Sequence, residues 1–444
     1  MKVLFLCGGT GKRMFPITED KFLLKFMGKT LLERQIEIAR QAGLSEFVIV
    51  GNNNNMPQIK EIIGGTAGIR AEMAIQEQPL GIANALESAS QFLDGEIIIV
   101  NPNDVFEQSA YTTLLEARQR DSASSYILGY EVNDYFPGGY LVVGKKGELK
   151  SIVEKPEKGQ EPSNMINILL HLHTEPKRIL EYVTSVQTER DDVYECALDT
   201  AARENHKIRV VPYSGSWNAI KYPWHIFNVV RYFLDQSSTY ISPSARISER
   251  ALIEGKVIID DNARVFENVV IRGPAYIGAN TVIGTNSLVR DYSHIGSNCV
   301  VGFSTEVKGS YISDRCWFHM NYVGDCIIGE GCSFGANTVF ANWRFDEKNV
   351  SVKIEGRSMD SGLEKFGAIV GQNCKTGVNV SVMPGVKIGP NSIIASHVCL
   401  TDDLEADKMI VCNPEQKILK NIYKASEEKT RKADERMKGL RCAG

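Results

Sequence analysis

From Ile241 to Val307 the chain carries a β-branched aliphatic residue at every sixth position: Ile241, Ile247, Ile253, Ile259, Val265, Ile271, Ile277, Ile283, Val289, Ile295, Val301 and Val307. Neither the 3.6-residue period of a helix nor the alternation of a strand selects this set. A step of six, with Gly, Asp, Asn or Ser often following, is the hexapeptide signature of a left-handed parallel β-helix. Each hexad makes one short strand and one turn, and three hexads close a triangular coil. Stiff branched side chains suit the inward stack from coil to coil. The step returns at Ile328, Phe334 and Phe340, and again at Val370, Thr376, Val382, Ile388, Ile394 and Leu400. Between these runs lies a charged excursion, residues 342–366, too long to stay inside a coil. Its Lys and Glu side chains would be buried unpaired there, so it is expected to be free to reach a neighbouring subunit.

Residues 1–236 follow a different rhythm. Apolar runs at 3–7, 47–50 and 97–100 read as buried strands, and helical spacing appears at 31–42 and 83–92. This alternation predicts an α/β, Rossmann-like domain whose ligands bind at the carboxyl ends of parallel strands. The domains expected are 1–236, the β-helix at 240–402, and a charged helical tail at 403–444. Ile418, Leu419, Ile422 and Tyr423 give the tail a short apolar face suited to capping the last coil.

Composition narrows the function. A chain of 444 residues exceeds one core, and its net charge of −4 argues against non-specific nucleic-acid binding. No stretch has the apolar length of a membrane span. The first apolar run leads into a Gly-rich basic loop and not into a cleavage site, so it reads as a strand. Ten Cys lack CxxC pairs and metal spacing, which predicts reduced thiols in a cytoplasmic protein without zinc.

The candidate chemistry starts at residues 6–16, LCGGTGKRMFP. Gly8, Gly9, Thr10 and Gly11 offer backbone N–H groups to a phosphate chain, and Lys12 and Arg13 add charge. The Gly-Lys-Ser/Thr end of a Walker A loop is missing. The loop resembles the L-x-G-G-x-G-T-R-[LM]-x-P signature of sugar-1-phosphate nucleotidyltransferases. The segment TEDKFLLKFMGKTLLE, then QEQPLGIANAL, VNPNDVF, SIVEKPE and SWNAIKYPW, resemble that family's later motifs in the same order. The resemblance implies that Arg13 neutralises the triphosphate, that Lys21 holds the α-phosphate side, that Gln76 reads the base edge, and that Gly81 lets the base and ribose lie against the backbone. It implies that Gly139, Glu154, Lys155 and Asn167 bind the sugar phosphate. Asn103 and Asp104 compete for the Mg²⁺ position, with Asp104 the better match. The second metal-site Asp falls at Ala219, leaving Asn218 as a carbonyl ligand, and Asp20 replaces the family's Pro.

A second resemblance lies in the β-helix. HMNYVGD and FGANTVFANWRFDEK are similar to the acetyltransferase half of bifunctional glucosamine-1-phosphate acetyltransferase / N-acetylglucosamine-1-phosphate uridylyltransferases, with the archaeal type nearest overall. It implies acetyl-CoA as co-substrate, His319 as base, and Tyr322, Asn342 and Lys348 on the sugar phosphate. Backbone N–H groups near Ala336 and Ala368 would meet the thioester. The expected enzyme is a homotrimer using UTP and a sugar-1-phosphate to make UDP-N-acetylglucosamine. Two alternatives stand beside it: a nucleotidyltransferase for another sugar or base with the β-helix as trimer scaffold, and a non-catalytic regulatory subunit.

Overall fold

The apolar runs near the N-terminus fold as expected. Strands Ile97–Val100, Lys2–Leu6, Glu46–Gly51 and Arg70–Ile75 pair in parallel, in that order, as one side of a nine-stranded sheet. Met165–His173 runs antiparallel beside Ile97–Val100 and carries the sheet onward. The helix Leu31–Gln41 starts at a capping box in which Thr30 and Glu33 satisfy each other's free N–H groups. The reading of 83–92 as one helix is corrected: the helix is Gly81–Ser88, and a separate 3-10 turn follows at Ser90–Phe92. This computed structural model describes residues 1–9, 11–188, 192–413, 417–420 and 427–441.

The β-helix has three parallel faces, of eight, nine and eight strands. Ile241, Ile259, Ile277, Ile295, Ile312, Ile328, Val370 and Ile388 lie in register along one face. Beyond Val307 the inward column continues through Ile312, Phe318 and Val323 before Ile328, because several rungs there are five residues long. The tight corners place Asn262, Asn268, Asn280, Asn286 and Asn298 at positive φ. Asn tolerates that conformation, and its side chains bond to one another up the corner, as Asn280 does to Asn298 at 3.2 Å. The coils continue past 402: Met409–Ile410 still pairs with Ile393–Ile394.

Met1–Ile410 forms one compact unit and Val411–Gly444 another. Within the first, the α/β half shares a core with the β-helix. Phe26 lies 5.6 Å from the Tyr311 ring and 5.9 Å from Phe233. His294 is stacked between Tyr276 and Tyr311, 4.8 Å from each, and its Nε2 accepts the Met27 N–H at 3.1 Å. The excursion is corrected as well. Its hairpin, Ser351–Ile354 with Arg357–Asp360, buries Val350, Val352 and Ile354 in this same core beside Phe366. Three apolar residues at alternate positions turn inward, and Ser351 and the charged Lys353 between them face water. The stretch 343–348, with the fully exposed Phe345, and the hairpin turn at 355–358 lie on the surface. In the second unit Glu427–Arg441 is helical, while Ile418 and Leu419 are exposed and Ile422 and Tyr423 lie outside the described residues. No helix among the described residues is long and apolar enough to cross a membrane. The nine described cysteines are all free.

Candidate active sites

The first strand ends at Cys7, and the chain turns into the Gly-rich loop. A Cβ on Gly8 would fall 1.9 Å from the Gln76 Oε1, so Gln76 lies directly across the loop backbone. Gln76 is buried, and its Nε2 donates to the Gly81 carbonyl at 3.0 Å and to Asn84 Oδ1 at 3.1 Å. Gly11 and Gly81 both need positive φ, 57° and 83°. The fold therefore gathers Gly8, Gln76 and Gly81 at one strand edge, with Gly9 and Gly11 in the same loop; Thr10 lies outside the described residues. Asp20 is held by Asn55, whose Nδ2 donates to it at 2.7 Å and to the Cys7 carbonyl at 2.9 Å.

Cations crowd the same edge. Burial, then the neighbouring Arg13 charge, bring Lys21 down from 10.5 to about 8. The Arg13 guanidinium sits 5.8 Å from the Tyr222 ring centroid. Sequence reading passed over Lys221. Its Nζ donates to the Pro137 carbonyl at 3.1 Å and lies 3.6 Å from the Phe136 centroid, a cation–π contact. Burial lowers its pKa, and the Asp104 carboxylate opposes that shift. Burial likewise raises Asp104, while Lys221 and Lys21 pull it down. These cations repel one another until an anion joins them, which is the electrostatics of a polyphosphate site.

The metal reading changes with the strand register. Trp217–Ala219 pairs antiparallel with Asp104–Phe106, placing Ala219 opposite Asp104 and Asn218 opposite Val105. Alternation sends Asn218 to the other face of this ribbon, so its assignment as a partner of Asp104 at a metal is withdrawn. Asn103 keeps a buried Oδ1 without a partner. No group of three or more His, Cys, Asp or Glu among the described residues is placed to hold a metal. The Asp104 carboxylate suits a single Mg²⁺ that keeps its phosphate and water ligands; it does not build a protein-held pair.

The sugar-site residues also converge. Gly139 pairs with Glu154 across adjacent strands. A Cβ on Gly139 would come 2.9 Å from Glu154 Oε2 and 3.6 Å from the Asn167 Cβ. Lys155 Nζ lies 3.0 Å from Glu154 Oε1. Asn167 Oδ1 meets His171 Nε2 at 2.8 Å, and the contact continues inward through Tyr194, His173 and Ser125 to His206. A cleft of about 1130 Å³ lies elsewhere, between the 17–33 and 52–65 segments and the β-helix. Glu19, Asp20, Glu33, Glu61 and Glu330 line it, which disfavours a phosphate.

On the β-helix, His319 is exposed at the corner leading to the Tyr322–Gly324 strand, and its N–H donates to Asn321 Oδ1 at 2.7 Å. A Cβ on Gly324 would meet the Tyr322 hydroxyl at 2.6 Å and the Asn342 Nδ2 at 2.7 Å, so these two side chains share one patch. Asp325 accepts there from Asn342 at 2.5 Å and pairs with Lys308 at 2.6 Å. Asp325 closes the HMNYVGD motif, a signal the sequence reading quoted without assigning the residue. Ala336 occupies the same corner as Met320 one coil on, since Asn337 N–H donates to the Met320 carbonyl at 2.8 Å. Lys348 is exposed on the excursion. Ala368 is corrected: it is fully buried in the prism core and its N–H points to the Cys326 thiol at 3.4 Å, so no thioester reaches it from this surface.

A phosphate loop and its cations at the carboxyl end of a parallel strand inside a mixed sheet, continued by a hexapeptide β-helix, define a nucleotidyl-transferring enzyme fused to a hexapeptide-type transferase. Residues 2–218 match the nucleotidyl transferase family model, and 367–402 match the bacterial transferase hexapeptide (six repeats) model. The chain is 38% identical to the bifunctional protein GlmU of Methanococcus maripaludis (strain C7), over 95% of this chain and 99% of that one. It is 32% identical to the Methanocaldococcus jannaschii bifunctional protein GlmU, over 92% and 97%. With the bifunctional sugar-1-phosphate nucleotidylyltransferase/acetyltransferase of Sulfurisphaera tokodaii it shares 31% over 88% and 94%. The chain belongs to this family of bifunctional nucleotidylyltransferase/acetyltransferases.

Proposed function

We propose that this enzyme acetylates glucosamine-1-phosphate from acetyl-CoA and then uridylylates N-acetylglucosamine-1-phosphate, yielding UDP-N-acetylglucosamine. The observation that carries the second step is the meeting of Gly8, Gln76 and Gly81 with the Arg13 and Lys21 charges. A phosphate oxygen of the sugar-1-phosphate attacks the α-phosphorus of UTP. The new P–O bond forms as the α–β bridge breaks, and pyrophosphate leaves with the electron pair. Arg13 and Lys21 neutralise the triphosphate, Gln76 reads the base edge, and Glu154, Lys155, Asn167 and the Gly139 backbone orient the sugar. Magnesium enters with the nucleotide as part of the substrate, beside Asp104.

In the acetyl step the sugar amine attacks the thioester carbon, forming C–N and breaking C–S as the CoA thiolate leaves. His319 takes the amine proton. Tyr322, Asn342 and Lys348 hold the sugar phosphate, and the Ala336 backbone faces the thioester. A homotrimer in the cytoplasm completes the reading, with the Trp343–Phe345 tip as the part that reaches a neighbouring copy. The test is a product assay with each of the four triphosphates, with and without acetyl-CoA. UDP-N-acetylglucosamine formed from glucosamine-1-phosphate only when UTP and acetyl-CoA are both present is the expected result. No pyrophosphate with any triphosphate would overturn it in favour of a non-catalytic subunit.

A further inference from the structure

The ribbon that carries Asp104 also brings in a cation. Ala219 is directly opposite Asp104, so the position best placed to add a second carboxylate carries only a methyl group. Lys221 follows in the bend just beyond this short strand, close enough to Asp104 for the two charges to act on each other. It is fixed at both ends. Its backbone N–H donates to His225 Nδ1 at 3.1 Å, and its Nζ is set by the Pro137 carbonyl and the Phe136 ring. Gly138 leaves room for the Phe136 ring that the ammonium faces, since a Cβ there would stand 3.0 Å from the ring and 3.8 Å from Nζ. The same loop continues into Gly139, beside Glu154 and Asn167. The ammonium therefore stands between the Asp104 carboxylate and the sugar-phosphate residues.

We infer that Lys221 is a further catalytic residue of nucleotidyl transfer, a built-in cation that contacts the phosphates where the incoming sugar phosphate meets the α-phosphate. The inference rests on the nucleotidyltransferase reading of this site. A cation here offsets the repulsion between two phosphates that approach within bonding distance. It does so without the carboxylate ligands a second divalent ion would need. An ammonium is compact and carries three donors, and with one used by Pro137 it has two left for phosphate oxygens. No proton moves in the step: the P–O bond forms, the α–β bridge breaks, and Lys221 stays charged throughout.

The test is calorimetric binding of each of the four triphosphates to the full chain, in EDTA and in Mg²⁺, followed by Lys221→Met and Lys221→Arg with the tightest binder. Met keeps the length of the side chain and removes its charge. The wild-type chain is expected to retain binding in EDTA, and Lys221→Met to lose at least tenfold there and less in Mg²⁺. Lys221→Arg should recover most of the loss. Thermal melting of each variant separates this effect from misfolding. Equal affinity of wild type and Lys221→Met in EDTA would overturn the role of Lys221 alone. A wild-type chain that binds no triphosphate in either buffer would overturn the reading of the whole site. The double variant Ala219→Asp, Lys221→Gly adds a second arm: its binding should become strictly Mg²⁺-dependent, and binding in EDTA as strong as wild type would also overturn the inference.

Discussion

Asp325 and Lys308 form an ion pair of 2.6 Å whose side chains are only 14% and 17% exposed. The same carboxylate oxygen takes the Asn342 amide, so one charge pair orients the residue assigned to the sugar phosphate. Asp325→Ala leaves a mostly buried ammonium unpaired and frees Asn342. We expect a loss of about 2 kcal/mol in stability and a raised KM for the amino-sugar phosphate, read by denaturant melts and acetyl-transfer kinetics. A variant with wild-type stability and KM would contradict this.

The His319 side chain is exposed; the backbone is what is tied down, its N–H donating to Asn321 Oδ1 and its carbonyl accepting from the Thr305 hydroxyl at 2.8 Å. His319→Ala should change stability by no more than about 0.5 kcal/mol. It should still cut acetyl transfer by roughly 10²-fold or more, with nucleotidyl transfer and oligomer mass unchanged. An unaffected acetylation rate would remove the base assignment.

Gly8→Ala puts a methyl group into the Gln76 side chain, 1.9 Å from its Oε1. Gln76 must then give up its bonds to Gly81 and Asn84. A cost of about 1–3 kcal/mol is expected, together with at least tenfold weaker triphosphate binding by calorimetry.

Much of this architecture is legible in the chain. The inward column is spelled out because coil stacking demands a branched residue at each rung. The register beyond Val307 was hidden, because Ile312, Phe318 and Val323 sit on five-residue and six-residue rungs that a fixed step of six misses. Val350, Val352 and Ile354 do alternate as a half-buried strand should, but three apolar residues are a short signal inside a segment otherwise dense in Lys, Glu and Asp. The Ala219–Asp104 pairing was out of reach: it joins residues far apart in sequence, and only the register decides that Asn218 leaves the Asp104 face, while the bend after Ala219 brings Lys221 near that carboxylate. Ala368 was misjudged because a motif fixes spacing along the chain, not which side of a coil its N–H faces.

Acid should loosen the junction between the two halves. Burial brings His294 from 6.5 down to about 4, partly countered by its bond to the Ile312 carbonyl and by the Asp314 charge. The folded form needs a neutral ring, since Nε2 accepts from Met27. Between pH 6.5 and 4 the unfolded chain binds more protons, so stability is full above 6.5 and falls as pH drops through this window. The contribution is about 3 kcal/mol. Melting temperature against pH should be flatter below 6.5 in His294→Phe than in wild type; parallel curves would refute the assignment.

The excursion has two ends with different tasks, and two substitutions separate them. Val352 is buried in the shared core with Val350, Ile354 and Phe366, while Phe345 is fully exposed a few residues earlier. Val352→Ala removes packing at the root and should cost about 2 kcal/mol, with the oligomer still formed from the folded chain. Phe345→Ser removes an aromatic ring that touches solvent in the single chain, so its stability as a monomer should not fall. If the tip inserts into a neighbouring copy, that ring is an anchor of the kind that dominates interfaces. Light scattering of Phe345→Ser should then show trimer giving way to monomer at micromolar concentration, with acetyl transfer falling in step and pyrophosphate release persisting. A Phe345→Ser chain that remains trimeric and acetylates at the wild-type rate would remove the tip from the interface.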